Sequence, residues 1–316
     1  MTRKIFVLII AATAAAASCT KTDTVIQEET GAAGSEMEFA ATVSDCMPSK
    51  ATSGNTWDPG DETITVQVLD RYDPSASLSW DGAATGYYRA GTSSLEFVSG
   101  EKSYWNGKDE EKMVRAWYLG TGEKRDRLPS ADSPWTVSAS QDTGDGFQHS
   151  DFVFAGRKAT YGTGKTELTF YHQIAKISVN VAGSGKYAGA EVSGMAIHGI
   201  YLGGAFEAPD ITDGTVPAGT WTTSGQTGDI AMKKTGTASF EAIVIPQSGS
   251  PVQGRNLFTF SAGGTDFAYS PDGYTWKSGY RYTYNISIQE DGSVTITPPQ
   301  SGLPGWGDES SEEVIQ

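Results

Sequence analysis

The 316-residue chain is poor in cysteine, histidine and charge. Two cysteines, Cys19 and Cys46, cannot build a disulfide framework, so stability must come from apolar cores. Three histidines, His149, His172 and His198, lie far apart and lack the spacing of a metal-ligand set. After residue 19 no apolar run is long enough to cross a bilayer. Positive charge is scarce: 23 Lys and Arg stand against 38 Asp and Glu, a net charge of −15 at pH 7. Phosphate binding needs a basic face, so nucleic acid is excluded as a partner. The same balance argues against adsorption to anionic lipid. Helix-period segments are missing too, and only Asp109–Ala116 leaves room for a helical turn or two.

Catalytic signatures are equally thin. No GxSxG elbow occurs. Asp109-Glu110-Glu111 and Glu312-Glu313 read as solvated loop and tail rather than as a glycosidase pair. Asp142-Thr143-Gly144-Asp145-Gly146 lacks a full calcium ligand set and reads as a polar turn. Ala159–Thr166 loosely matches a phosphate-binding loop, yet such a loop must feed a helix, and here an alternating run begins at Leu168. The chain therefore reads as a non-enzyme, with no catalytic residue, cofactor or metal assigned.

What is present begins at the N-terminus. Arg3 and Lys4 precede an apolar stretch, Ile5–Ala17, and small residues lead to Cys19. This is a secretory signal, too short for a membrane span. Ala16-Ala17-Ser18-Cys19 resembles a bacterial lipobox, in which the Cys is diacylated and becomes the first mature residue. A non-lipidated signal peptide is the other reading of the same residues. With Cys19 lipidated, only Cys46 remains, and the acyl chains tie the protein to a membrane. Residues 19–35 are polar and read as a tether.

The 38 glycines and an aromatic share of 11% point to an all-β chain. Met37, Phe39 and Ala41 alternate with Glu38, Ala40 and Thr42. Ile64, Val66 and Val68 alternate with Thr63, Thr65 and Gln67. Val114, Ala116 and Tyr118 continue the pattern, although that run is apolar on both faces at its end. Period two is the signature of strands with one buried side. Turn signals such as Asp81-Gly82, Asn106-Gly107 and Asp291-Gly292 separate the runs. Many short strands between such turns fit sandwiches.

Leu168–Gly183 carries the strongest strand pattern, with a one-residue phase slip near Ile174 that a bulge or bend explains. The glycine-rich stretch 157–166 before it suggests a boundary. The expected organisation is a signal peptide at 1–18, a lipidated tether at 19–35, β-sandwiches at 36–162 and 163–300, and an acidic tail at 301–316. Ser239–Ile245 reads as a strand that Pro246 ends. Tyr280, Tyr282, Tyr284, Ile286 and Ile288 share one face, and Asp291-Gly292 turns that run into a hairpin with Ser293–Thr297. Beyond Ile296 the prolines and glycines make a poor strand.

Five elements in order, the lipobox at Cys19, Ser49–Thr52 with Trp57–Asp61 and Ile64–Val68, Leu168–Ile177, Phe240–Gln247, and Ser278–Ile286 with a late Trp306, resemble the fimbrillin-like lipoproteins of Gram-negative anaerobes, the subunits of type V pili. The resemblance spans almost the whole mature chain. It implies two tandem transthyretin-like β-sandwiches and a surface location, on the outer membrane through lipid at Cys19 and in a fimbrium. It implies cleavage after a basic residue in the first domain, loss of the first strand, and donor-strand exchange with homologous pilus subunits. Carried onto this chain, the processing site is Lys50-Ala51 and the strand removed is roughly Glu36–Val43. The family pattern more often has Arg before Ala, so the second reading is that Lys50 is an ordinary loop lysine and the lipid anchor is kept. The broken C-terminus lacks a strong apolar donor segment, which favours a tip, anchor or accessory subunit over the main stalk. The alternative function is a lipid-anchored single module that binds a glycan or host protein. Trp80, Trp105, Trp135 and Trp221, near turns, fit either sugar stacking or core packing.

Overall fold

In the computed structural model the described residues are 34–44, 52–53, 56–57, 63–70, 78–162, 164–211, 218–251 and 256–301. Nearly all regular structure among them is strand. One large sheet has seven strands in the order Phe39–Ser44, Thr166–His172, Phe152–Thr160, Glu111–Leu119, Ile64–Leu69, Ala84–Ala90 and Leu95–Gly100. All its neighbours run antiparallel except the first pair, which is parallel.

The alternation seen in the sequence sets the core. Ile64, Val66 and Val68 lie opposite Tyr118, Ala116 and Val114, and Val153 and Ala155 extend the same rows. Together with Phe39, Val43, Tyr88, Leu168 and Phe170 they form one apolar cluster. The sheet curls so that its ends face each other across this cluster, as the contact between Phe39 and Tyr88 requires.

The opposite face is buried as well. Trp117, Leu119, Phe152 and Phe154 project there and join a second cluster with Phe206, while Trp221 packs against its edge. The rings of Phe152 and Phe206 stand 4.8 Å apart, edge to face. The double apolar pattern at the end of Glu111–Leu119 thus reflects a strand covered on both sides.

The rest of the second cluster lies between two further sheets. One orders Lys233–Lys234, Ser239–Val244, Ala175–Gly183, Arg281–Ile288 and Val294–Ser301. The other orders Trp135–Thr136, Val192–Glu207, Phe258–Ala262 and Thr265–Tyr269, with Thr220–Ala231 also paired to Val192–Glu207. Ile177, Val179, Tyr284 and Ile286 from the first meet Ile197, Ile200, Phe258 and Phe260 from the second. The architecture is all-β and sandwich-like.

Three local expectations change. The phase slip near Ile174 is a change of sheet: Thr166–His172 ends in the seven-stranded sheet and Ala175–Gly183 begins in the five-stranded one. Asp109–Ala116 holds no helical turn; Glu111–Leu119 is extended, paired on both sides. The one-turn α-helix among the described residues is Gly146–His149, starting at the last residue of the segment read as a polar turn. Finally, the C-terminal strand does not stop at Thr297. It runs Val294–Ser301, and the ladder shifts register between Thr283 and Asn285 to absorb Pro298 and Pro299. The strand is the edge of its sheet, where a missing N–H is tolerated. The expected hairpin is present, with Gly292 at φ 87° in its turn.

Candidate assembly site

Residues 34–44 are held as two short ladders in succession. Ser35 and Glu36 pair antiparallel with Trp105 and Tyr104. The Gly34 N–H donates to the Trp105 carbonyl and the Met37 N–H to the Ser103 carbonyl, both at 2.8 Å. Then Phe39–Ser44 pairs in parallel with Thr166–Tyr171, opened by the Thr166 N–H donating to the Glu38 carbonyl at 2.8 Å. Phe39–Ser44 is the end strand of the seven.

Alternation decides which side chains anchor this segment. Met37, Phe39 and Val43 are buried in the first core, whereas Glu36 and Thr42 face outward. Glu36 forms an exposed pair with Lys102 at 2.8 Å, a contact of little energetic weight. The segment therefore covers two backbone edges, 103–105 and 166–171, and plugs the open side of an apolar trough lined by Tyr88, Leu168 and Phe170. Cys19, Cys46, Lys50 and Ala51 lie outside the described residues, as do most of Ser49–Asp61 and the acidic tail.

The remaining motif segments seat the cores. His172 and Asp151 form a buried pair, Nδ1 to Oδ1, at 2.8 Å. Gln173 accepts from the Gly219 N–H at 2.9 Å through Oε1, and its carbonyl accepts from the Ser278 hydroxyl at 2.8 Å and from the Trp221 indole. Gln247 grips the Tyr201 backbone from both ends, accepting from its N–H and donating to its carbonyl at 2.9 Å each. Gln141 does the same to Ile243, at 2.8 and 2.7 Å. These amides replace a missing strand partner, because an amide side chain presents the same donor and acceptor as a peptide. Nothing in the spacing of the three glutamines marks them as clamps. Lys176, fully buried, pairs with Glu241 at 2.8 Å, and burial brings its pKa down to about 8.

The histidines stay dispersed. His149 ends the one-turn helix, and His198 bridges Thr259, 2.7 Å from Nε2, and Asp229, 3.1 Å from Nδ1. Among the described residues no cluster of three or more His, Cys, Asp or Glu could hold a metal ion. Glu110 and Glu111 are not simply solvated loop: Glu110 accepts from the Asn106 N–H at 2.6 Å and pairs with Lys112, and Glu111 pairs with Lys158. The stretch after Thr160 feeds the Thr166–His172 strand rather than a helix. Of the four tryptophans near turns, Trp105 and Trp135 are core residues and Trp221 packs on Phe152 and Phe206. Trp80 and Trp221 are half-buried, and Trp80 lies over a cation, Arg115.

The comparisons with known proteins agree with this architecture. No curated protein matches the chain in sequence. Among solved structures, a candidate cell adhesion protein of Bacteroides ovatus ATCC 8483 aligns over 88% of this chain and 100% of its own, with 19% identity and a TM-score of 0.57. Another, from Bacteroides uniformis ATCC 8492, aligns over 86% and 99%, with 20% identity and the same TM-score of 0.57. At such identity the likeness is one of fold. The family model described as fimbrillin-like matches residues 49–299, most of the chain. The chain belongs to the fimbrillin-like family.

Proposed function

We propose that this protein is a pilus subunit or pilus-associated surface lipoprotein, delivered to the outer membrane through Cys19 and assembled by strand exchange. One observation carries the reading: residues 34–44 form a separable end segment that covers two strand edges and a trough in one piece. A cut at Lys50-Ala51 releases that segment, and the exposed N–H and C=O groups together with the apolar trough then accept an extended strand from a homologous subunit. The lipid at Cys19 leaves with it, so anchoring is temporary in processed copies and permanent in uncut ones. The C-terminal strand, kept in its own sheet and shifted in register at Pro298 and Pro299, favours a tip, anchor or accessory place over the main stalk. Adhesion to a host protein or glycan belongs to the same role.

Mass spectrometry of the cell-surface form tests the processing step. The expected mature N-terminus in assembled fibres is Ala51. Recovery of an acylated Cys19 from the fibres overturns strand exchange through this groove.

A further inference from the structure

Among the described residues Arg115 is a cation without an anion. It stands half-buried on the face of the seven-stranded sheet opposite the first core, between Gln67 and Gly156 in the ladder. Its Nε donates to Gln67 Oε1 at 2.8 Å. Its Cζ lies 4.2 Å from the ring centre of Trp80 and 5.6 Å from that of Trp117. Among the described residues no carboxylate pairs with it, and Nη1 and Nη2 make no hydrogen bond.

The chain does not lack acids, with 38 against 23 bases. The two fully buried lysines each hold one: Lys112 has Asp70 and Glu110, and Lys176 has Glu241. Arg115 is left out, although burial alone lowers its pKa to about 10. Among the described residues two indole rings and one amide compensate its lost hydration. Beside it, the buried Trp117 indole N–H has no acceptor among the described residues. Lys124 adds a second positive charge over Tyr87, in the neighbouring ladder row. The Asp126 carboxylate acts on Tyr87, while its carbonyl accepts from Gln67 Nε2 at 2.8 Å.

Donors without acceptors define what is missing. The outer edge of a guanidinium presents two parallel N–H groups that match the paired oxygens of an oxyanion. Trp80 is half-buried, so part of its ring remains open to solvent beside that fork. A flat, partly apolar molecule carrying an anionic group satisfies both. We propose that Arg115 and Trp80 form a binding site for an acidic sugar, with Arg115 holding its carboxylate or sulfate and Trp80 carrying its ring. The site lies on the face opposite the first core and is independent of strand exchange.

The mature chain is titrated with a uronic acid oligosaccharide, a sulfated oligosaccharide, a neutral one of equal length and an acidic peptide, followed by tryptophan fluorescence and calorimetry. The two charged arms identify the oxyanion. The expected result is saturable binding of at least one acidic ligand and none of the neutral one. Arg115→Lys keeps the charge but loses the fork, and is expected to weaken binding by about tenfold or more. Trp80→Ala is expected to do the same, and Lys124→Ala to change it by less than about threefold. Denaturation midpoints confirm that each variant is folded, and should Arg115→Lys fail to fold, the Trp80→Ala titration decides. Equal affinity for the neutral sugar, wild-type affinity in the decisive variant, no binding up to about 10 mM, or tighter binding of an acidic peptide than of any acidic sugar overturns the proposal.

Discussion

The ring of Phe39 stands edge-on to the ring of Tyr88, 5.4 Å between centroids, although their strands are first and sixth in the seven-stranded sheet. The sheet must curl to bring them together, so the N-terminal segment closes the core instead of extending a flat edge. Ordinary packing and readiness for exchange then follow from one contact. Phe39 contributes apolar burial while the segment is in place, and its departure uncovers Tyr88.

Phe39→Ala therefore creates a cavity in the first core. The expected loss is about 3 to 5 kcal/mol, read as a shift in the denaturant midpoint. Thr42→Ala, on the outward face of the same strand, is expected to cost about 0.5 kcal/mol or less. Equal effects from the two substitutions contradict the burial pattern.

A chain that begins at Ala51 lacks the plug. It is expected to bind a hydrophobic dye more strongly than the full chain. A peptide of residues 34–44 added in trans is expected to reverse the dye signal, because it restores both ladders. The same peptide with Phe39→Asp and Val43→Asp is expected to leave the signal unchanged, since a carboxylate in the trough has no partner.

Lys176 makes stability depend on pH. Its pKa is about 8 in the folded chain against 10.5 for an ordinary lysine. Between those values the unfolded chain holds a proton that the folded chain has released, so stability rises with pH across that window. Below pH 8 both states are protonated and the full cost of burying the charge is felt. Tyr88, pushed up to about 12 by burial, acts with the opposite sign above pH 10, because the unfolded tyrosine ionises first. Urea denaturation is expected to show a gain of about 2 to 3 kcal/mol at most from pH 8 to 10. Lys176→Met is expected to remove that slope while leaving Glu241 beside Arg281, 3.5 Å away.

Gln141→Ala leaves both backbone groups of Ile243 without their side-chain partner in a buried setting. The expected cost is about 2 to 4 kcal/mol, since each orphaned buried group costs about 1 to 3 kcal/mol. Thermal unfolding measures it. A cost under about 0.5 kcal/mol indicates that water replaces the amide.

Period-two alternation alone made the strands legible, from Ile64–Val68 to Tyr280–Ile288, because a strand's two faces meet different environments whatever the fold. The same rule put Met37, Phe39 and Ala41 on one face before any neighbour was known, and Met37 and Phe39 are buried there while Ala41 is half-buried. It failed where pattern and environment separate. Glu111–Leu119 lost its period because both faces are buried, and Pro298 and Pro299 looked like a stop because the sequence does not show that their strand lies at a sheet edge. Trp80 and Trp105 looked alike near their turns, yet one lies over Arg115 and the other is in the core.

Local pattern thus settled the all-β class, the turn positions, the inward faces and the motif order that marks the family. Tertiary structure alone decided that Leu168–Gly183 divides between two sheets, that residues 34–44 cap two edges at once, that three glutamines clamp distant backbones, and that Arg115 stands over Trp80 with no acid among the described residues. The reason is physical: alternation is a property of neighbours along the chain, whereas strand order, edge position and charge pairing depend on residues that meet only after the sheets have formed.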